Sequence, residues 1–183
     1  MNFWQGKRVR LRGIEPSDGG AFSLWNLDSE LARGVDFLWP PVSQEHERKE
    51  AEALSLKKLE NDVFQWIIED TSGAAVGSIS THNCNHRTGT FSYGIVTQEE
   101  HRRKGYASEA ILLVVKYYFE ELRYQKVTAS VYSFNKASIA LHERLGFIRE
   151  GTLRRMVYTN NEYFDLLWYG MTKEEWENSP HRF

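Results

Sequence analysis

Between Val63 and Val96 three strand-like segments follow one another with turns and no helix between them, and this run constrains the fold more than any other feature. Val63 to Asp70 reads as the first strand, Ala74 to Thr81 as the second, and Thr90 to Val96 as the third, with Thr71-Ser72-Gly73 as a hairpin turn. From Gly105 the apolar spacing changes. Ala107, Ala110, Ile111, Val114, Val115, Tyr118 and Leu122 recur at helical intervals, the pattern of a long amphipathic helix. A chain built this way cannot follow the regular strand-helix-strand alternation of a doubly wound fold.

Extending the reading to both ends completes the order. Lys7 to Ile14 alternates Val9, Leu11 and Gly13 against Arg8, Arg10 and Arg12, the mark of a half-buried strand. Pro16-Ser17-Asp18 opens a short helix carrying Phe22, Leu24, Trp25 and Leu27. Ser43 caps a second helix with Glu45 and Glu47 in its first turn, running to about Glu60. Gly34 to Pro41 between them is an aromatic loop. Lys126 to Tyr132 is a strand, and Lys136 to Leu145 a helix that Gly146 ends. Phe147 to Tyr158 and Tyr163 to Gly170 are closing strands around an Asn160-Asn161 turn, and Glu174-Glu175-Trp176 is a short tail helix. The expected fold class is α/β (α+β), a mixed central sheet in the order β-α-α-β-β-β-α-β-α-β-β.

The 183 residues suit one domain, expected to span 1–183, with about 70% of the unfolded surface buried. With 23 Lys plus Arg against 25 Asp plus Glu, no bulk nucleic-acid partner is expected. The single cysteine, Cys84, cannot close a disulfide within the chain. No apolar run near the N-terminus resembles a signal peptide, and none approaches a membrane span. A cytoplasmic protein without a membrane partner is expected. His82-Asn83-Cys84-Asn85-His86 has metal-ligand residue types but lacks a zinc spacing and reads as a turn, so no metal is expected.

Chemistry concentrates in two places. Arg102-Arg103-Lys104-Gly105-Tyr106-Ala107-Ser108 lies between a strand and the long helix. The free N–H groups of a helix start suit a phosphate, Gly105 and the small Ala107 let it approach, and three basic residues add charge. The plain alternative is a basic loop that caps a helix. Downstream, Ser138 and His142 share one helix face at i and i+4, after Asn135 and before Leu145-Gly146-Phe147. Taken singly, Asn135 is as well explained as an N-cap and His142 as a surface histidine.

Together these segments resemble the GNAT N-acetyltransferase superfamily. Arg102 to Ala107 is similar to its Gln/Arg-x-x-Gly-x-Gly/Ala loop, and Asn135-x-x-Ser138 with Leu145-Gly146-Phe147 to its next motif. Leu11-Arg12 with Asp18, and Gly151-x-x-Arg154 with Tyr163, Asp165 and Tyr169, resemble the RimJ/RimL branch and the related spermidine acetyltransferases. The resemblance implies the GNAT acyl-CoA N-acyltransferase fold, acetyl-CoA as cosubstrate and a primary amine as acceptor, either a protein N-terminus such as a ribosomal-protein alanine or a small amine. It implies that the acyl-CoA lies where the third and fourth sheet strands of that family splay apart. The pantetheine arm would pair with Ile95, Val96 and Thr97 and meet Asn135, while the pyrophosphate would sit on the loop. Ser138 or His142 would protonate the leaving thiolate, and a backbone N–H near Val96 would polarise the carbonyl. Asp36, Phe37 and Trp39, with Asp28 and Glu30 nearby, would lie on the amine side. The final strands would allow a homodimer.

Two positions depart from the pattern. His142 stands where spermidine-type relatives have a tyrosine acid, and Ser92 stands where relatives often have a glutamate base. Glu150, Glu69, Asp70, His82 or a water chain are the candidates to replace that base. A catalytically silent acyl-CoA-binding module and a polyamine acetyltransferase are the other readings. A P-loop phosphotransferase is excluded because no Gly-x-x-x-x-Gly-Lys-Ser/Thr run exists.

Overall fold

The computed structural model describes residues 2–182, with seven strands and six helices among them. The chain divides into two compact units, residues 1–81 with 94–113, and residues 82–93 with 114–183. Two strands and one helix run through both.

In the first unit β1 (Val9–Arg12) pairs antiparallel with β2 (Gln65–Asp70), and β2 with β3 (Ala75–Asn85). The end of β4 (Thr90–Thr97) follows β3. Helices α1 (Gly19–Asn26), α2 (Ser29–Val35) and α3 (Gln44–Ser55) precede β2. Ile14, Phe22, Trp25, Leu31, Ala51 and Ile67 form the core of this unit, with Val96 packed against it. Arg12 grips the Asp18 carboxylate with both terminal nitrogens at 2.8 Å and donates through Nε to Glu69. This charge-assisted fork ties β1 to the turn before α1.

In the second unit β4 pairs parallel with β5 (Lys126–Tyr132), β5 antiparallel with β7 (Glu162–Thr172), and β7 antiparallel with β6 (Ile148–Thr159). Helix α4 (Tyr106–Lys116) ends in a π turn, Tyr117–Glu121, which buries the consecutive Tyr118 and Phe119. The Tyr118 ring stacks on Phe91 with centroids 3.9 Å apart. Helix α5 (Lys136–Arg144) lies between β5 and β6 in sequence, and α6 (Lys173–Glu177) closes the chain. The mixed sheet and the order of its strands agree with the sequence expectation. No helix among the described residues is long and apolar enough to cross a membrane.

Three local expectations need correction. An extra helix, α2, stands where only a helix-to-loop passage was expected. Asp28 caps it by accepting from the Leu31 N–H at 2.9 Å. Helix α3 stops at Ser55 rather than near Glu60. The apolar face ends there, Leu56 and Leu59 are exposed, and Asn61 and Asp62 turn the chain with positive φ. The His82 to Asn85 segment belongs to β3 rather than to a turn. The turn comes later, where Asn85 Oδ1 accepts from the Arg87 and Thr88 N–H groups. The Asn160-Asn161 turn is as expected, with φ of +49° and +62°.

Candidate active site

The first group of candidate residues belongs to the first unit. Ile95, Val96 and Thr97 end β4, and a short 3-10 turn, Glu99–His101, leads to the basic loop. Arg102 is extended, Arg103 takes φ +62°, Gly105 takes φ +83°, and α4 begins at Tyr106. Arg103 and Gly105 thus both take left-handed conformations just before α4, whose first N–H groups have no partner within the helix. Arg102 is already engaged. Its Nε donates to the Thr97 carbonyl at 3.3 Å and its Nη2 lies 3.7 Å from Asp28 Oδ2. Asp28 therefore caps α2 and pairs with Arg102, and Glu30 pairs with Arg33 at 3.7 Å.

Close approach of β3 to β4 requires Gly77. A Cβ there would collide with the Val96 carbonyl oxygen. The β4–β5 ladder covers Thr90 to Ser92 against Lys126 to Thr128. Strand β4 itself continues to Thr97 and β5 to Tyr132.

Asp36, Phe37 and Trp39 follow α2. Trp39 Nε1 donates to Asp36 at 3.1 Å, and the Phe37 and Trp39 rings meet edge to face. Trp39 is 69% exposed, so this aromatic cluster is a surface feature of its unit.

The second group belongs to the second unit. Asn135 caps α5, its Oδ1 accepting from the Ser138 N–H at 3.1 Å. His142 is buried, at 3% exposure, which corrects the surface reading. Its Nδ1 lies 2.7 Å from the Ser138 carbonyl and 3.4 Å from Ser138 Oγ, and its Nε2 lies 2.8 Å from the Tyr93 hydroxyl. A carbonyl only accepts, so Nδ1 carries the proton. In the neutral ring Nε2 must then accept, and Tyr93 donates. The Tyr93 and Tyr169 rings lie near-parallel to this imidazole with centroids 5.9 and 5.8 Å away, and Phe147 meets it edge-on.

Burial pulls the His142 pKa below the ordinary histidine value, against the opposing pull of the Ser138 carbonyl. Burial pushes the Tyr93 hydroxyl well above its ordinary value. The pair is therefore neutral near pH 7. Because the folded-state pKa of His142 is depressed, its contribution to stability is complete above the unfolded value of about 6.5 and is lost as pH falls toward the folded value. Thermal unfolding temperature should therefore drop between pH 7.5 and pH 5.5. His142→Gln, which keeps an acceptor for Tyr93, should show a smaller drop, and equal drops in both proteins would refute titration at this residue.

Sequence reasoning missed Tyr93, because a tyrosine in an apolar strand reads only as core. It also missed the setting of Ser92. The Ser92 hydroxyl is buried and lies 2.8 Å from Thr128 Oγ1. Ser92, Lys126, Thr128, Glu150 and Trp168 line one recess of about 350 Å³. Glu150 is paired there with Lys126. Of the other base candidates, Glu69 bridges Arg10 and Arg12, and Asp70 holds its own hairpin turn through Ser72 and Ala74.

Residues 8–148 match the model of the acetyltransferase (GNAT) domain. The "SPbeta prophage-derived uncharacterized N-acetyltransferase YokL" of Bacillus subtilis is 42% identical over 177 residues, covering 97% of each chain. The "Putative ribosomal N-acetyltransferase YdaF" of the same organism is 34% identical over 105 residues, 57% of each chain. The crystal structure of spermidine N-acetyltransferase from Vibrio cholerae in complex with CoA and spermine aligns with a TM-score of 0.79. It covers 93% of this chain and 98% of that one at 20% identity, a likeness of fold.

Proposed function

We propose, from the premise that this chain belongs to the GNAT acetyltransferase family, that it moves an acetyl group from acetyl-CoA to an amine of low pKa, such as a peptide N-terminus or an amino-acid or amino-sugar derivative. Acetyl-CoA is the donor that such enzymes use, and it would supply a thioester for direct attack by the neutral amine. The Arg102 to Ser108 loop is the fit for its pyrophosphate, with backbone N–H groups and a residue lacking a Cβ at φ +83°. The edge of β4 at Ile95 to Thr97 continues beyond the ladder with β5, which suits backbone pairing with the pantetheine amides.

Ser138 is the general acid in this reading. The His142 Nδ1–H is directed to the nearer Ser138 carbonyl, so it has no lone pair for the Ser138 hydroxyl proton. That proton is available to a leaving thiolate. His142 has both ring nitrogens engaged inside the fold and acts as a positioning residue for Ser138.

The choice of amine rests on Ser92. A hydroxyl bonded to Thr128 takes the place of a carboxylate base, and Glu150 in the same recess is held by Lys126. An α-amino group of pKa about 7.7–8.0 is neutral to the extent of about a tenth at pH 7. An amine of pKa near 10.4 is neutral in roughly one molecule in 2,500, a cost of about 4.6 kcal/mol. Without a strong base the enzyme should therefore favour the first class. Initial rates with an N-terminal peptide and with spermidine, at pH 7 and pH 9, test this. The peptide should be the better substrate at pH 7, and spermidine should gain more on raising the pH. Spermidine turnover matching the peptide at pH 7 would overturn the preference. Absence of thiol release with every amine would point to a silent acyl-CoA-binding module.

A further inference from the structure

We infer that Arg8 is a further ligand of the acyl-CoA pyrophosphate, held against the loop by a clasp around Glu109. The inference rests on the reading that the Arg102 to Ser108 loop receives that pyrophosphate. The N–H groups of Lys7, Arg8 and Val9 all donate to the Glu109 carboxylate, at 2.9, 2.7 and 2.8 Å. Glu109 lies in the first turn of α4. Gly6 completes the clasp, because a Cβ there would stand 2.5 to 2.9 Å from the Glu109 side chain.

The clasp has two consequences. A bare carboxylate in the first turn would repel a phosphate at the start of α4, and three N–H donors now take up that charge. The clasp also sets the direction of Arg8. Its Cδ and Nε stand 3.4 Å, and its Cζ 3.8 Å, from the point where a Cβ on Gly105 would lie. The guanidinium thus sits beside the one residue of the loop that lacks a Cβ.

The neighbouring arginines are occupied. Arg10 is bonded to Glu69, and Arg12 to Glu69 and Asp18. Arg102 is held by Thr97 and Asp28. Arg8 makes no ion pair among the described residues, and its side chain is exposed. A free planar fork beside a phosphate loop is suited to bidentate bonding of phosphate oxygens.

Calorimetric titration of the full chain with acetyl-CoA and with 3′-dephospho-CoA tests this. Arg8→Gln should weaken both by on the order of tenfold to a hundredfold, the scale of a charge-assisted contact. Arg8→Lys should fall between the two, and Arg10→Gln should stay near wild type. Unfolding temperatures should be close to wild type, because both side chains are exposed. Wild-type affinity in Arg8→Gln, or an equal loss in Arg10→Gln, would overturn the inference. A loss for acetyl-CoA that vanishes with 3′-dephospho-CoA would overturn it as well, by moving Arg8 to the 3′-phosphate. Gly105→Glu separates the two levels. If it abolishes binding while Arg8→Gln keeps wild-type affinity, only the Arg8 inference fails, whereas retained binding in Gly105→Glu removes the loop reading itself.

Discussion

Gly105→Glu should abolish acetyl-CoA binding in a protein that still folds. Gly105 has φ +83°, a left-handed conformation that costs an L-residue roughly 1–2 kcal/mol. That strain is a small fraction of the stability of a typical domain. The larger effect is local. The new carboxylate would occupy the approach to the N–H groups at the start of α4, carry the wrong sign of charge, and compete for the Arg8 guanidinium beside it. Gly105→Ala separates strain from obstruction. Its Cβ would meet Arg8 at 3.4 Å, so it should bind acetyl-CoA more weakly than wild type but measurably. Calorimetry gives the affinity and circular dichroism the fold. Wild-type affinity in Gly105→Glu would remove the pyrophosphate from this loop.

Ser138→Ala should lower kcat about a hundredfold or more, the usual scale for a lost proton donor, with acetyl-CoA affinity little changed. The change removes only the hydroxyl oxygen, and the residue 138 N–H still donates to Asn135 Oδ1 because it belongs to the backbone. His142→Ala should behave differently. It empties a buried site at 3% exposure and leaves the Tyr93 hydroxyl without its acceptor, a combined cost of about 3 kcal/mol in stability. Its kcat, measured below its own unfolding temperature, should fall less than that of Ser138→Ala. The reverse order would make His142 the acid and would require a ring nitrogen released from its present bonds.

Elements with strong periodicity are legible in the sequence alone. The three successive strands, the long amphipathic helix and the Gly146 stop are local patterns, because burial of one face imposes its period on the residues. The basic loop was legible for a similar reason. Its geometry is set by a short stretch of chain, and a left-handed Gly105 at a helix start needs no distant partner. Helix α2 escaped notice because it is short, and its capping residue Asp28 looks the same in a loop as at a helix start.

The sequence by itself determined the order of the strands and of every helix but α2, the placing of Arg102 to Ser108 at the start of α4, and the sharing of one α5 face by Ser138 and His142. Tertiary structure alone decided what each of those groups can do. His142 looked like a surface residue or an acid until its two nitrogens were seen bonded to Tyr93, 49 positions away, and to the Ser138 carbonyl. Glu109 and Arg8 carried no signal in the sequence because their association joins positions 101 apart. Glu69, Asp70 and Glu150 were equal candidates as bases until their partners appeared. The physical reason is common to all of them. Secondary structure follows from interactions within a few residues, whereas protonation state and available charge depend on burial and on partners that only the folded chain brings near.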